Sequence, residues 1–113
     1  MLRVYGIKNC DTVRKTLKWL EQRSVPHEFH DFRVAGLDEN ALRGWLESPL
    51  GDELLNRRSA TWRNLDEAER QSAEKDPATV MLANPTLIRR PVITDGESIC
   101  CVGFSEARLE SVT

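Results

Sequence analysis

The opening of the chain constrains its fold more than any other stretch. Leu2 to Ile7 is short, apolar and broken at Gly6, and Lys8-Asn9-Cys10-Asp11-Thr12 follows as a loop leading into a helix start. From Val13 the apolar residues Val13, Leu17 and Leu20 are set among Arg14, Lys15, Lys18, Glu21 and Gln22. That is the 3.6-residue period of a helix with one buried stripe. It predicts a helix from about Asp11 to Arg23, ended by Ser24-Val25-Pro26. His27-Glu28-Phe29-His30-Asp31-Phe32 then resumes with alternating character and β-prone aromatics, a second strand. A strand-helix-strand unit pairs its strands in parallel through a right-handed crossover. The chain is thereby committed to an α/β fold.

Downstream, Asp38 is a candidate N-cap ahead of Leu42, Trp45 and Leu46, which are spaced three and four apart, and Pro49-Leu50-Gly51 interrupts. Asp52 to Asn56 reads as a short helical piece, and Asn64-Leu65-Asp66 opens another turn or helix. Pro77 behind Asp76 suits the first position of a helix carrying Val80, Met81 and Leu82. Residues 36–84 thus read as an all-helical block. Beyond Asn84-Pro85, Val92-Ile93-Thr94 and Ser98 to Val102 flank Asp95-Gly96, a hairpin signal. A last helix follows Ser105, with Ala107, Leu109 and Val112 expected on its inner face. One parallel pair and one hairpin make a four-stranded mixed sheet. The expected architecture is a thioredoxin-like α/β fold with an all-helical insertion at about 36–84, in a single domain spanning 1–113.

A length of 113 residues fits one domain, and 40% hydrophobic against 30% charged residues excludes a disordered, collagenous or coiled-coil chain. Sixteen Lys and Arg against eighteen Asp and Glu leave a net charge of −2, so no global field would hold the chain on nucleic acid or an anionic membrane. No apolar run approaches the roughly 20 residues of a membrane helix, and the first residues lack a signal peptide's apolar stretch. A cytoplasmic monomer is expected, with no nucleic-acid or membrane partner. Three cysteines, Cys10, Cys100 and Cys101, are too few and too uneven for a disulfide framework.

Cys10 lies where the first strand hands over to the first helix. Unpaired amides there carry partial positive charge and favour a thiolate, so the Cys10 pKa should fall below the reference of about 8.5. Lys8 and Arg14 would add to this and Asp11 would oppose it. The alternative is that Cys10 is simply a small residue near a cap. A dithiol oxidoreductase places its second cysteine three positions on, where this chain has Val13, so no local disulfide can form. Any adduct on Cys10 must be released by an external thiol such as glutathione or by a cysteine distant in sequence. Cys100 and Cys101 are adjacent on a predicted strand. Their side chains are expected on opposite faces, each buried as a small hydrophobe.

Two arginine pairs, Arg57-Arg58 and Arg89-Arg90, stand out in a chain of balanced charge. Either pair could be a solvated surface feature. Arg90 precedes Pro91, and a cis bond there would turn its side chain toward the Cys10 loop. Guanidinium groups hold carboxylates and oxyanions bidentately, which suits glutathione or an oxyanion substrate. His27 and His30 would point to opposite faces of a strand, so no metal site is expected. Trp19, Trp45 and Trp62 are scattered without a basic stripe and read as packing residues, with Trp62 set apart by its place beside the arginines. Asp66-Glu67-Ala68-Glu69 reads as a solvated helix face with favourable charge in its first turn.

Three segments together resemble the arsenate reductase (ArsC) family: Val4 to Thr12, Leu54 to Leu65, and Ile88-Arg89-Arg90-Pro91-Val92-Ile93 followed by Gly103-Phe104-Ser105. The small YffB-like reductases are the nearest branch, and the transcription regulator Spx is more distant. The resemblance implies a thioredoxin-like fold with a helical insertion, a nucleophilic Cys10, an oxyanion-binding Arg90 before Pro91, and an insertion arginine at Arg57 or Arg58, with Arg58 favoured. It implies a monothiol reductase that needs no metal and carries no bound cofactor, with glutathione as the reducing co-substrate. An oxidised small molecule or protein thiol would be the substrate, and glutaredoxin is a further candidate partner. Lys8, Asn9, Thr12 and Pro91 would line or orient the binding site. A third family arginine near the last strand is missing from Cys101-Val102-Gly103-Phe104, which counts against arsenate, and Val13 removes the Spx type of dithiol switch.

Overall fold

The computed structural model describes residues 1–96 and 98–113. The elements run β1 (Leu2–Gly6), α1 (Asp11–Gln22), β2 (His27–Asp31), α2 (Glu39–Glu47), a 3-10 turn (Gly51–Glu53), α3 (Ala60–Asn64), α4 (Glu67–Lys75), α5 (Pro77–Ala83), a second 3-10 turn (Pro85–Leu87), β3 (Val92–Thr94), β4 (Ile99–Val102) and α6 (Glu106–Val112). None of the described helices is long and apolar enough to cross a membrane. The chain divides into two compact units, one of residues Met1–Gly36 with Arg90–Thr113, the other Leu37–Arg89.

The first unit holds a four-stranded sheet in the order β2-β1-β3-β4. β1 pairs with β2 in parallel and with β3 antiparallel, and β3 pairs with β4 antiparallel. The strand-helix-strand start and the hairpin therefore assemble as a mixed sheet of the thioredoxin-like kind. Alternation along β1 sends Leu2 and Val4 to one face, where they meet Ile93, Cys101, Trp19 and Leu20 of α1, and Leu109 of α6 in one buried cluster. The buried residues of α1 are Val13, Thr16, Trp19 and Leu20. Leu17 lies at the margin of the cluster and Thr16 takes the inner place, its hydroxyl donating to the Thr12 carbonyl at 2.9 Å. In α6 only Leu109 is buried; Ala107 and Val112, expected inside, are exposed. Ala107 stands about 200° round the helix from Leu109, and Val112 falls at the frayed last turn.

In the second unit Asp38 caps α2 by accepting from the Ala41 amide at 2.9 Å. Asp66 and Glu69 form a reciprocal capping box on α4, and Pro77 opens α5 at its first turn. The block is not purely helical, because Leu55 and Ile88 form an antiparallel bridge flanked by hydrogen bonds from Asn56 to Leu87 and from Arg89 to Leu54. The 3-10 turn ends at Glu53, short of the helical piece read over Asp52 to Asn56, since Leu55 is drawn into that bridge. Gly51 is required by close approach: a Cβ there would collide with the Leu46 backbone carbonyl.

Candidate active site

Cys10 stands one residue ahead of α1 in extended backbone, φ −100° and ψ 123°. Its amide donates to the Ile7 carbonyl at 3.1 Å and its carbonyl accepts the first helical bond, from Arg14, at 3.0 Å. The next amides have no carbonyl four residues back to pair with. The Thr12 and Val13 amides and the Arg90 guanidinium are the groups that favour the Cys10 thiolate, while the side chain itself makes no capping hydrogen bond. Burial is the largest single influence and pushes the thiol up. The Val13 amide, the Arg90 hydrogen bond and charge, and the Thr12 amide together outweigh it, and the pKa falls below that of an ordinary thiol.

The seat of this turn is set by packing. Val13 is fully buried, and a Cβ on Gly6 would lie 2.6 Å from its Cγ2. Gly6 thus lets the first turn of α1 close onto the end of β1. The position that carries a second cysteine in dithiol enzymes is here a core valine. Opposite, the Arg90–Pro91 peptide is cis, and the Pro91 carbonyl accepts from the Gly103 amide at 2.8 Å. The Nε and Nη1 of Arg90 are buried and have no hydrogen-bond partner among the described residues. Leaving such donors of a cation buried and unpaired is costly, so they are free to take an acceptor.

The remaining loop residues act differently from one another. The Lys8 amide donates to Oδ2 of Asp31 at 3.1 Å while the Arg33 amide donates to Oδ1 at 2.9 Å, so Asp31 at the end of β2 pins the Cys10 loop. Read as a strand residue only, Asp31 carried no sequence signal for this role beyond its place at a strand end. The side chains of Lys8 and Asn9 are exposed. Arg14 is paired with Asp11, and the positive charge acting on the sulfur comes from Arg90. His27 and His30 each bond a backbone carbonyl, Val25 and Gly36, at 2.8 Å, and His30 rests against the Tyr5 ring.

Within the second unit the two insertion arginines part ways. Arg57 makes two bonds of 2.9 Å to the Glu74 carboxylate and lies over the Trp62 ring at 5.8 Å. The guanidinium of Arg58 is exposed and has no side-chain partner among the described residues. The helix that follows them, α3, escaped the sequence reading. It spans five residues, with Ser59 accepting from the Trp62 amide at its start and Arg70 donating to the Trp62 and Arg63 carbonyls at its end.

A mixed four-stranded sheet with an activated thiol at the mouth of its first helix defines a thioredoxin-like protein of the thiol reductase kind. The chain belongs to the ArsC family, whose profile matches residues 5–112. An uncharacterised protein of Haemophilus influenzae is 51% identical over 98% of this chain and 97% of its own length. The solved structure of the YffB protein PA3664 superposes with a TM-score of 0.89 at 37% identity, covering 98% of this chain and 97% of that one. The global transcriptional regulator Spx 1 of Oceanobacillus iheyensis is 29% identical over 94% of this chain and 82% of its own length.

Proposed function

We propose that this protein is a glutathione-dependent thiol reductase working through the single nucleophile Cys10. The Cys10 thiolate attacks an oxidised sulfur of the substrate, a Cys10–sulfur bond forms, and the substrate's other sulfur leaves as a thiolate that takes a proton from water. A glutathione thiolate then attacks the Cys10 mixed disulfide, restoring the Cys10 thiolate and carrying the oxidised sulfur away. No metal or resident cofactor enters the scheme. The observation that supports it best is the place of Cys10 at the start of α1, where the first helical amides and the Arg90 guanidinium lower its pKa, together with two buried Arg90 donors left open. Those donors suit a glutathione carboxylate, and the unengaged Arg58 is the insertion arginine proposed as an anion ligand. Within the first unit, Lys8, Asn9, Thr12 and Pro91 are proposed to line the binding surface with Arg90. Oxidised small-molecule or protein thiols are the proposed substrates, glutaredoxin a further partner, and a cytoplasmic monomer the working form.

A regulatory reading is favoured by the Spx relative. It requires that partner binding survive loss of Cys10. The deciding experiment treats the protein with oxidised glutathione and maps adducts by residue with mass spectrometry. The reductase reading expects an adduct on Cys10 that Cys10→Ser abolishes and Arg90→Ala weakens. No Cys10 adduct, or equal labelling after loss of Arg90, refutes it. Arsenate is a poorer candidate, because the stretch Cys101-Val102-Gly103-Phe104 offers no further arginine.

A further inference from the structure

β4 departs from regular pairing. Val102 opposes Val92 and Cys101 opposes Ile93, but Thr94 opposes Ile99, which makes Cys100 the extra residue of a β-bulge. The alternation expected of adjacent strand residues fails at that point. Cys101 is fully buried among Leu2, Val4, Trp19, Leu20, Ile93 and Leu109, and Cys100, half-buried, packs on the same cluster instead of the opposite face. The Cys100 thiol lies 3.4 Å from the Ile93 carbonyl, to which it donates.

We propose that Cys100 and Cys101, gathered onto one face by the bulge, are a redox modification site that hydrogen peroxide or an organic hydroperoxide closes into a vicinal disulfide. The site is separate from Cys10. Cys101 is level with Ile93 and Val4, whereas the Cys10 loop begins after Ile7, about 10 Å further along the strand direction. A disulfide joins Cβ atoms only about 4 Å apart, which puts Cys10 beyond reach of either sulfur.

The electrostatics suit the pair. The neighbouring Cys100 thiol and the positive charge of Arg108 lower the Cys101 pKa, while the neighbouring Cys101 and burial push Cys100 up. One thiolate shared between two sulfurs is the nucleophile such chemistry needs. Cys100, the sulfur in reach of solvent, attacks the peroxide O–O bond once its proton has passed to the Cys101 thiolate. It becomes a sulfenic acid as one oxygen leaves as hydroxide, which takes that proton back from Cys101 and departs as water. The Cys101 thiolate then attacks that sulfur and displaces the second oxygen as water. Two thiols and one peroxide thus give one disulfide and two waters, or one water and one alcohol from an organic hydroperoxide. Consecutive Cα atoms about 3.8 Å apart are closer than an unstrained disulfide prefers, so the ring is readily reopened by a thiol such as glutathione.

The test uses the full chain with Cys10→Ser, leaving only the pair. It is treated with hydrogen peroxide, alkylated with N-ethylmaleimide after denaturation, and weighed intact. The expected result is a loss of two hydrogen masses, a fall in alkylatable thiols from two to none, and recovery of both on adding glutathione. Cys101→Ala should remove the disulfide and leave Cys100 to accumulate oxygen. Should that variant fail to fold, Cys100→Ala serves, with the buried Cys101 expected to remain alkylatable. Addition of oxygen to Cys100 with Cys101 still free, a disulfide between two chains, or survival of both thiols overturns the proposal. In the wild-type chain a bridge from Cys10 to either cysteine overturns its separateness.

Discussion

Replacing Arg90 with Met keeps most of the side chain's volume and removes the charge and hydrogen bond that face the Cys10 sulfur. A hydrogen bond to a charged group contributes about 1.5–3 kcal/mol when well shielded. Cys10 is only partly buried, and water screens the interaction. Discounting the lower end for that screening leaves about 1 kcal/mol, equivalent to about a fivefold loss of thiolate population below the pKa. The rate of attack does not fall by the full factor, because a more basic thiolate is a better nucleophile, with a Brønsted slope of about 0.4–0.5. Alkylation of Cys10 by iodoacetamide should therefore slow only about twofold in acid solution, and in alkaline solution, with both sulfurs ionised, the variant should be the faster. The two rate-pH curves must cross. The assay is site-resolved alkylation followed across pH by mass spectrometry. Parallel curves, or a variant slower at every pH, would refute the claim that Arg90 acts by holding the Cys10 anion.

Three further outcomes are expected. Leu20→Ala opens a cavity in the cluster beneath α1 and should destabilise the chain by about 2–5 kcal/mol in urea unfolding; a cost below about 1 kcal/mol would show that the cluster is loosely packed. Gly51→Ala drives a methyl group into the Leu46 carbonyl and should cost about 1–3 kcal/mol. A thermal midpoint equal to wild type would contradict that contact. The depressed pKa of Cys10 sets a pH dependence of stability. A thiol more acidic folded than unfolded adds stability that is complete above the unfolded value of about 8.5 and disappears as pH falls through the folded value. The urea midpoint of wild type relative to Cys10→Ser should accordingly rise with pH across that window, and a difference independent of pH would contradict the shift.

What the sequence discloses about this molecule is chiefly what is local. The helical period behind Val13, the turn at Asp95-Gly96 and the cap residues Asp38 and Asp66 act over a few positions, and the four-stranded sheet follows from them. Cys10 was recognisable because a strand end and a helix start bracket it. Features set by distant partners were hidden. Which of Arg57 and Arg58 stays available is decided by Glu74, seventeen residues on. The faces of Cys100 and Cys101 are decided by a register shift against β3, and a one-residue shift in a strand resets its alternation. The five-residue α3 has no apolar repeat to betray it and is held by Ser59 and Arg70. Asp31 reaches the Cys10 loop only because β2 lies beside β1.

The central claim is that the folded chain turns Cys10 into an anion at a pH where an ordinary thiol is still protonated. The direct measurement is the thiolate ultraviolet absorbance of the native protein, followed across pH and corrected by subtracting the Cys10→Ser variant, so that only this sulfur remains in the difference. The account predicts an inflection below the ordinary value of about 8.5 that moves upward in Arg90→Met. An inflection at or above the ordinary value would contradict it.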